Sequence, residues 1–204
     1  RQNASCPPIH IFGARETTAP AGFGSAGTVV NLIMAAHSGA TSEAIAYPAA
    51  GGSSYGSSVV AGVSAVAAAV NKLASSCPST EIVLVGYSQG AQIMDNALCG
   101  GGDTNQGLSS IAVQITNIAS VKAAVFMGDP RHIPGASYSV GTATAAGFDP
   151  RPAGFTCPSG SLIQSYCDST DPYCSDGNDA ATHQGYGAEY GQAALTFVNS
   201  KLSA

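Results

Sequence analysis

The chain has 204 residues, of which 45% are hydrophobic and 9% charged, with a formal net charge of −5. That length suits one sizeable core and a single domain spanning 1–204. The thin acidic balance, with no basic run, argues against nucleic acid or an anionic membrane surface as a partner and favours a neutral ligand.

In chain order, Ile9-His10-Ile11-Phe12 reads as a first strand, Gly13–Pro20 as a loop, and about Ser25 to His37 as a helix. Ala44–Tyr47 is a weaker second strand. Val59, Val63, Val66, Val70 and Leu73 recur at helical spacing and predict an Ala-rich amphipathic helix that ends before Cys77-Pro78. The charge-free stretch from Ala44 to Asn71 is interrupted by Pro48 and Gly51-Gly52-Ser53-Ser54. It therefore falls short of the roughly 20 apolar residues of a membrane span, and a soluble protein is expected.

Ile82–Val85 is the next strand, followed by a helix over 89–98 that Gly100-Gly101-Gly102 closes. Ala123–Met127 predicts a strand ending at Gly128-Asp129-Pro130. The Gly-, Pro-, Ser- and Thr-rich segment 131–160 reads mostly as loop. Leu162–Tyr166 is the last strand, and Leu195, Val198 and Leu202 line a C-terminal helix. Strand and helix in alternation predict an α/β fold, a parallel sheet covered on both faces. Right-handed crossovers gather the loops after the strands at one edge, where a site can draw on each of them.

Gly86-Tyr87-Ser88-Gln89-Gly90 joins the strand at 82–85 to the helix that follows. G-x-S-x-G in that context is a strained turn that lifts the serine hydroxyl above the sheet, placed to attack a carbonyl. Ser88 is thus the candidate nucleophile, and it needs a base. His10 lies within a strand and His37 at a helix end, so both read as structural; His132 competes with His183, which is expected in a loop before the final helix. His183 fits the chain order serine, acid, histidine.

The acid that orients the imidazole can come from Asp129, or from Asp168, Asp171, Asp176 and Asp179 after the last strand. Asp171 is preferred because Cys167 and Cys174 flank it, and a disulfide there would fix a short loop, with about 2.5 kcal/mol from loop closure. The oxyanion needs two donors, the backbone N–H of Gln89 and a group from the loop after the first strand, where Thr17 offers a hydroxyl and an N–H. Arg15 and Glu16 read as a local ion pair.

Six cysteines, with no pair of C-x-x-C motifs, favour disulfides and an oxidising compartment, so a secreted protein is expected. They allow 15 pairings. Asn3-Ala4-Ser5 is the one N-glycosylation sequon. No signal peptide is read, and the sequence is expected to be the mature form.

Taken together, Gly13-Ala14-Arg15-Glu16-Thr17-Thr18, Gly86-Tyr87-Ser88-Gln89-Gly90, Cys99-Gly100-Gly101-Gly102-Asp103, Met127-Gly128-Asp129-Pro130, Arg151-Pro152-Ala153-Gly154-Phe155, Asp171-Pro172-Tyr173-Cys174 and Ala181-Thr182-His183-Gln184-Gly185-Tyr186 resemble the cutinase and acetylxylan esterase family of small secreted fungal hydrolases. The resemblance implies a three-layer α/β/α sandwich with a central five-stranded parallel sheet and no large lid. It implies Ser88 as nucleophile, His183 as base, Asp171 as acid, and Thr17 and Gln89 as oxyanion donors, with no cofactor and no metal. It further implies the pairs Cys6–Cys77, Cys99–Cys157 and Cys167–Cys174; some acetylxylan esterases of the family carry additional cysteines that this chain lacks.

Within the family the chain looks closer to the acetylxylan esterase branch. Tyr173 stands where cutinases usually carry Val, and a ring beside the acyl site would shorten the pocket towards acetyl. The reading is therefore a secreted, monomeric esterase acting on acetylated xylan, a plant cell-wall polysaccharide. The alternatives are a cutinase or short-chain lipolytic esterase with the same residues, and a non-enzymic carbohydrate-binding protein, which the absence of tryptophan weakens.

Overall fold

A computed structural model describes residues 6–203. The sequon at Asn3 lies outside them. A single parallel sheet is ordered β2-β1-β3-β4-β6-β5, from β1 (Ile9–Ala14), β2 (Thr41–Ala44), β3 (Glu81–Tyr87), β4 (Val121–Met127), β5 (Ser139–Val140) and β6 (Ile163–Tyr166). The family resemblance implied five strands; the sixth is a two-residue edge strand within 131–160, too short to give a periodic signal. The second strand ends at Ala44, where the apolar run of 44–47 begins. Edge strand β2 has a half-exposed polar sequence, Thr41-Ser42-Glu43-Ala44, that hydrophobicity does not reveal.

The alternation of the central strands sets the two faces. Ile82 and Leu84 of β3 point to one side, with Val59, Val63, Val66 and Val70 of α2 (Tyr55–Ser76) and Ile93 and Met94 of α3 (Gln89–Cys99). Val83, Val85 and Tyr87 point to the other, with Val29, Val30 and Ile33 of α1 (Gly27–Ala36) and Ala194 and Val198 of α5 (Tyr186–Lys201). By length and hydropathy the segment Gly52–Ser76 passes as a membrane span. Its valine stripe accounts for that, since it lies in the core beneath the sheet.

The chain runs from β1 outward to β2 through α1, then back past β1 to β3 through α2. The order therefore reverses between β1 and β3, and the crevice beyond their C-terminal ends is where open α/β sheets bind ligands. The loop holding Thr17 and the turn holding Ser88 flank that crevice. Three disulfides, Cys6–Cys77, Cys99–Cys157 and Cys167–Cys174, pair all six cysteines as the resemblance implied and fit an extracellular environment.

Candidate active site

Ser88 links β3 to α3 with φ 54° and ψ −120°, a left-handed conformation unusual for a side chain with a Cβ. Its N–H donates to the Met127 carbonyl at 2.8 Å, and its own carbonyl accepts from the Gln92 N–H at 3.0 Å, so the strained turn is pinned at both ends. The flanking glycines are steric requirements. A Cβ on Gly86 would lie 2.6 Å from the Ala91 Cα, and one on Gly90 would strike the Ala14 carbonyl. The N–H of Gln89, in the first turn of α3, has no partner within the helix and is free to bind an anion at its N-terminus.

His183 sits in a five-residue helix, α4 (Ala180–Gln184), rather than in the loop that the sequence suggested. Asp179 caps that helix by accepting from the Ala181 N–H at 3.0 Å. Beyond it, Tyr87 OH donates to the His183 carbonyl at 2.7 Å and accepts from the Tyr186 N–H at 3.3 Å, anchoring the α4–α5 junction to the end of β3. The imidazole packs so closely on the backbone after β4 that a Cβ on Gly128, at φ 63°, would lie 2.6 Å from its Cε1.

Asp171 is wholly buried within the loop that the Cys167–Cys174 disulfide closes. Oδ2 accepts from His183 Nδ1 and Tyr186 OH, each at 2.7 Å, and Oδ1 accepts from the N–H groups of Tyr173 at 2.6 Å and Cys174 at 3.1 Å. Burial pushes this carboxyl up, but the His183 hydrogen bond and charge, with the Tyr186 and Tyr173 donors, outweigh it and hold the group below its ordinary value. An ionised carboxylate only accepts, so His183 Nδ1 is the donor and Nε2 keeps its lone pair for the cleft.

The other acids are engaged elsewhere. Asp168 accepts from Thr142 and Tyr190, Asp176 is exposed, and Asp129 accepts from the Arg131 N–H inside a buried polar network. His132 is buried, which lowers its pKa. It does not line the cleft.

Ser88, His183, Thr17 and Tyr173 line one cavity of about 910 Å³. Among the described residues Ser88 Oγ makes no hydrogen bond, and such contacts often tighten only with substrate bound. Thr17 Oγ1 accepts from Gln89 Nε2 at 3.0 Å. The Tyr173 ring packs on the His183 ring with centroids 4.5 Å apart and remains 43% exposed.

Arg15 and Glu16 do not form the ion pair the sequence suggested. Buried Arg15 donates to the carbonyls of Ala19 at 2.9 Å and Tyr47 at 2.6 Å, clipping the Thr17 loop to the turn after β2. Glu16 accepts from the N–H and Oγ of Ser25, both at 2.8 Å. Backbone partners are invisible to residue spacing, which offers only adjacent opposite charges.

Sequence reasoning missed Tyr186, the Gln89 side chain, and the aromatic pair Tyr55 and Phe148 that also lines the cavity. Tyr186 had a signal, since it lies three residues after His183. The others had none.

Known proteins resemble this chain in sequence and in overall fold. The family model described as Cutinase matches residues 5–202. The chain is 62% identical to an acetylxylan esterase of Hypocrea jecorina over 97% of its length and 68% of that protein. It is also 62% identical to Cutinase 11 of Verticillium dahliae, over 99% of its length and 71% of that protein. The solved catalytic core domain of acetyl xylan esterase from Trichoderma reesei superposes with a TM-score of 0.95 at 61% identity, covering 97% of this chain and all of that one. With a family match over almost its whole length and relatives at this identity, the chain belongs to the cutinase family.

Proposed function

We propose that this carboxylic ester hydrolase removes O-acetyl groups from acetylated xylan as a secreted, monomeric, single-domain enzyme. Ser88 attacks the acetyl carbonyl while His183 Nε2 takes its proton, and Asp171 stabilises the imidazolium that forms. The Gln89 N–H and the Thr17 hydroxyl bind the oxyanion. His183 then protonates the departing sugar oxygen, and water releases acetate from the acyl-enzyme.

The observation that carries the acetyl preference is the Tyr173 ring lying 4.5 Å from the His183 ring at the rim of the acyl site. A longer acyl chain would have to displace it. The similarity to acetylxylan esterases supports the same substrate. The experiment is acetate release from acetylated xylan by wild type and Ser88→Ala. Loss of release in the variant is expected, and equal release would remove Ser88 from the mechanism.

A short-chain lipolytic reading has one observation in its favour, the equal identity to Cutinase 11. Chain-length preference separates the two. Faster hydrolysis of butyrate than acetate esters by wild type would favour the lipolytic reading and defeat the role given to Tyr173. Under the acetyl reading, Tyr173→Val should shift preference towards butyrate.

A further inference from the structure

Three large hydrophobic side chains stay exposed among the described residues, and two of them, Phe148 at 53% and Tyr173 at 43%, line the same cavity as Ser88. The Phe148 backbone is anchored there. Its neighbours Gly147 and Asp149 are buried, and the backbone is tied on both sides: Gly147 N–H donates to the His132 carbonyl and Phe148 N–H to the Tyr173 carbonyl, both at 3.0 Å. The Asp149 carboxylate accepts from the side-chain amides of Gln92 at 2.7 Å, Asn105 at 2.9 Å and Gln106 at 2.9 Å. Tyr55 meets the Phe148 ring edge-on, with centroids 5.8 Å apart at 65°, and is itself fixed by donating to Gln92 Oε1 at 2.5 Å. The fold thus fixes an apolar ring in water at the rim of its site, although turning it inward would gain the hydrophobic stabilisation of its buried face.

The cavity indicates what such a ring would hold. No Lys or Arg lines it, and its one carboxylate, Glu16, is occupied by Ser25, so a charged ligand finds no cationic side chain to pair with. The Gln184 amide, with the remaining acceptor sites of the Thr18 and Ser25 hydroxyls, offers hydrogen bonds to a neutral, hydroxyl-rich molecule. At about 910 Å³ the space is at the upper end for small-molecule sites and far exceeds an acetyl group. A pyranose ring has an apolar C–H face of the size of a phenyl ring and hydroxyls at its edge, which matches both features.

We propose that Phe148, braced by Tyr55, is a stacking subsite for a sugar ring of the polysaccharide adjacent to the one carrying the reacting acetyl group. This rests on the acetylated-xylan reading and adds a specificity residue to it. The aromatic surface is preorganised, so little side-chain freedom is lost on binding.

The test compares KM for acetylated xylo-oligosaccharides with KM for 4-nitrophenyl acetate in wild type, Phe148→Ala and Phe148→Trp. In Phe148→Ala the ratio of the two KM values should rise roughly 3- to 10-fold, the range expected for one lost aromatic contact, and Phe148→Trp should restore it. An unchanged ratio, or a loss concentrated on 4-nitrophenyl butyrate, would overturn the subsite; the second result would make the ring an acyl-chain contact. Wild type that cleaves 4-nitrophenyl acetate but not the acetylated oligosaccharides would overturn the substrate reading itself.

Discussion

Gln89 Nε2 donates to Thr17 Oγ1 across 3.0 Å, and this contact fills one acceptor site of the threonine hydroxyl. The orientation of the amide is set by its other partners. Nε2 also donates to the Ala50 carbonyl at 2.9 Å, which can only accept, and Oε1 accepts from Ser58 Oγ at 2.6 Å. A hydroxyl has one proton, so with Thr17 accepting from Gln89 its proton stays available to the oxyanion of the proposed mechanism. Under the proposed mechanism Gln89 would act twice, through its N–H directly and through its side chain on Thr17.

Removing that contact should show as non-additive kinetics. Thr17→Val is expected to lower kcat by about 100- to 1000-fold, the usual cost of one oxyanion donor. Gln89→Leu alone should also lower kcat, with a smaller change in KM. In the double variant the Gln89 substitution should add little to Thr17→Val. A double-mutant cycle on 4-nitrophenyl acetate measures this, and additive losses would mean that the amide serves the fold rather than the hydroxyl.

Asp171→Asn should leave the loop folded and lower kcat by about 10⁴-fold through the wrong imidazole tautomer. It should also change acid stability. The native carboxyl titrates below its ordinary value of 3.8, so its contribution is complete above that pH and is lost as pH falls through the lower folded value. Asn cannot titrate. Thermal midpoints between pH 2 and 6 should thus fall less steeply with acid in the variant, and parallel curves would mean that the carboxyl is not stabilised in the folded protein.

The parts of this site that could be read from the sequence are those where local chemistry and chain order suffice. Ser88 was visible because a glycine-flanked serine between a strand and a helix forces one turn geometry. Asp171 and His183 followed from the serine, acid, histidine order and from the cysteines about the acid. Strands β1, β3 and β4, rich in apolar residues, are legible by composition, and β6, Ile163-Gln164-Ser165-Tyr166, by its apolar ends beside Leu162. Strand β2, polar at an edge, and β5, two residues long, are not. Arg15 lies outside what the sequence reveals, because its partners are the carbonyls of Ala19 and Tyr47, and 32 residues separate Arg15 from Tyr47. Phe148 was not identified because its exposure depends on buried neighbours that only the folded chain assembles.

Breaking the Cys6–Cys77 disulfide tests a link far from the chemistry. The two residues lie 71 apart in sequence, and loop closure of that size is worth about 4 kcal/mol in the unfolded state. Cys6→Ser/Cys77→Ser should unfold at markedly lower urea concentration while kcat on 4-nitrophenyl acetate stays near wild type. An unchanged urea midpoint would show that the unfolded chain gains no freedom from the cut.

Asp129→Asn tests the buried network behind the cleft, where the four carboxylates of Asp95, Asp103, Asp129 and Asp149 share two cations, Arg131 and Arg151, among the described residues. Burial, and then the charge of Asp95, push the Asp129 carboxyl well above its ordinary value; the Arg131 N–H and the charges of Arg151 and Arg131 oppose this without reversing it. A group whose folded pKa is raised favours folding fully below its unfolded pKa and loses that contribution as pH rises through the folded value. Asn has the shape of the protonated acid, can keep the acceptor for the Arg131 N–H, and never ionises. The variant should therefore match wild type in acid and become the more stable of the two as pH rises above the ordinary carboxylate value of 3.8, seen as a widening difference in thermal midpoint. A variant that loses stability relative to wild type with rising pH would instead mean that the two arginines need the Asp129 charge, and that the excess of carboxylates is relieved at another member of the network.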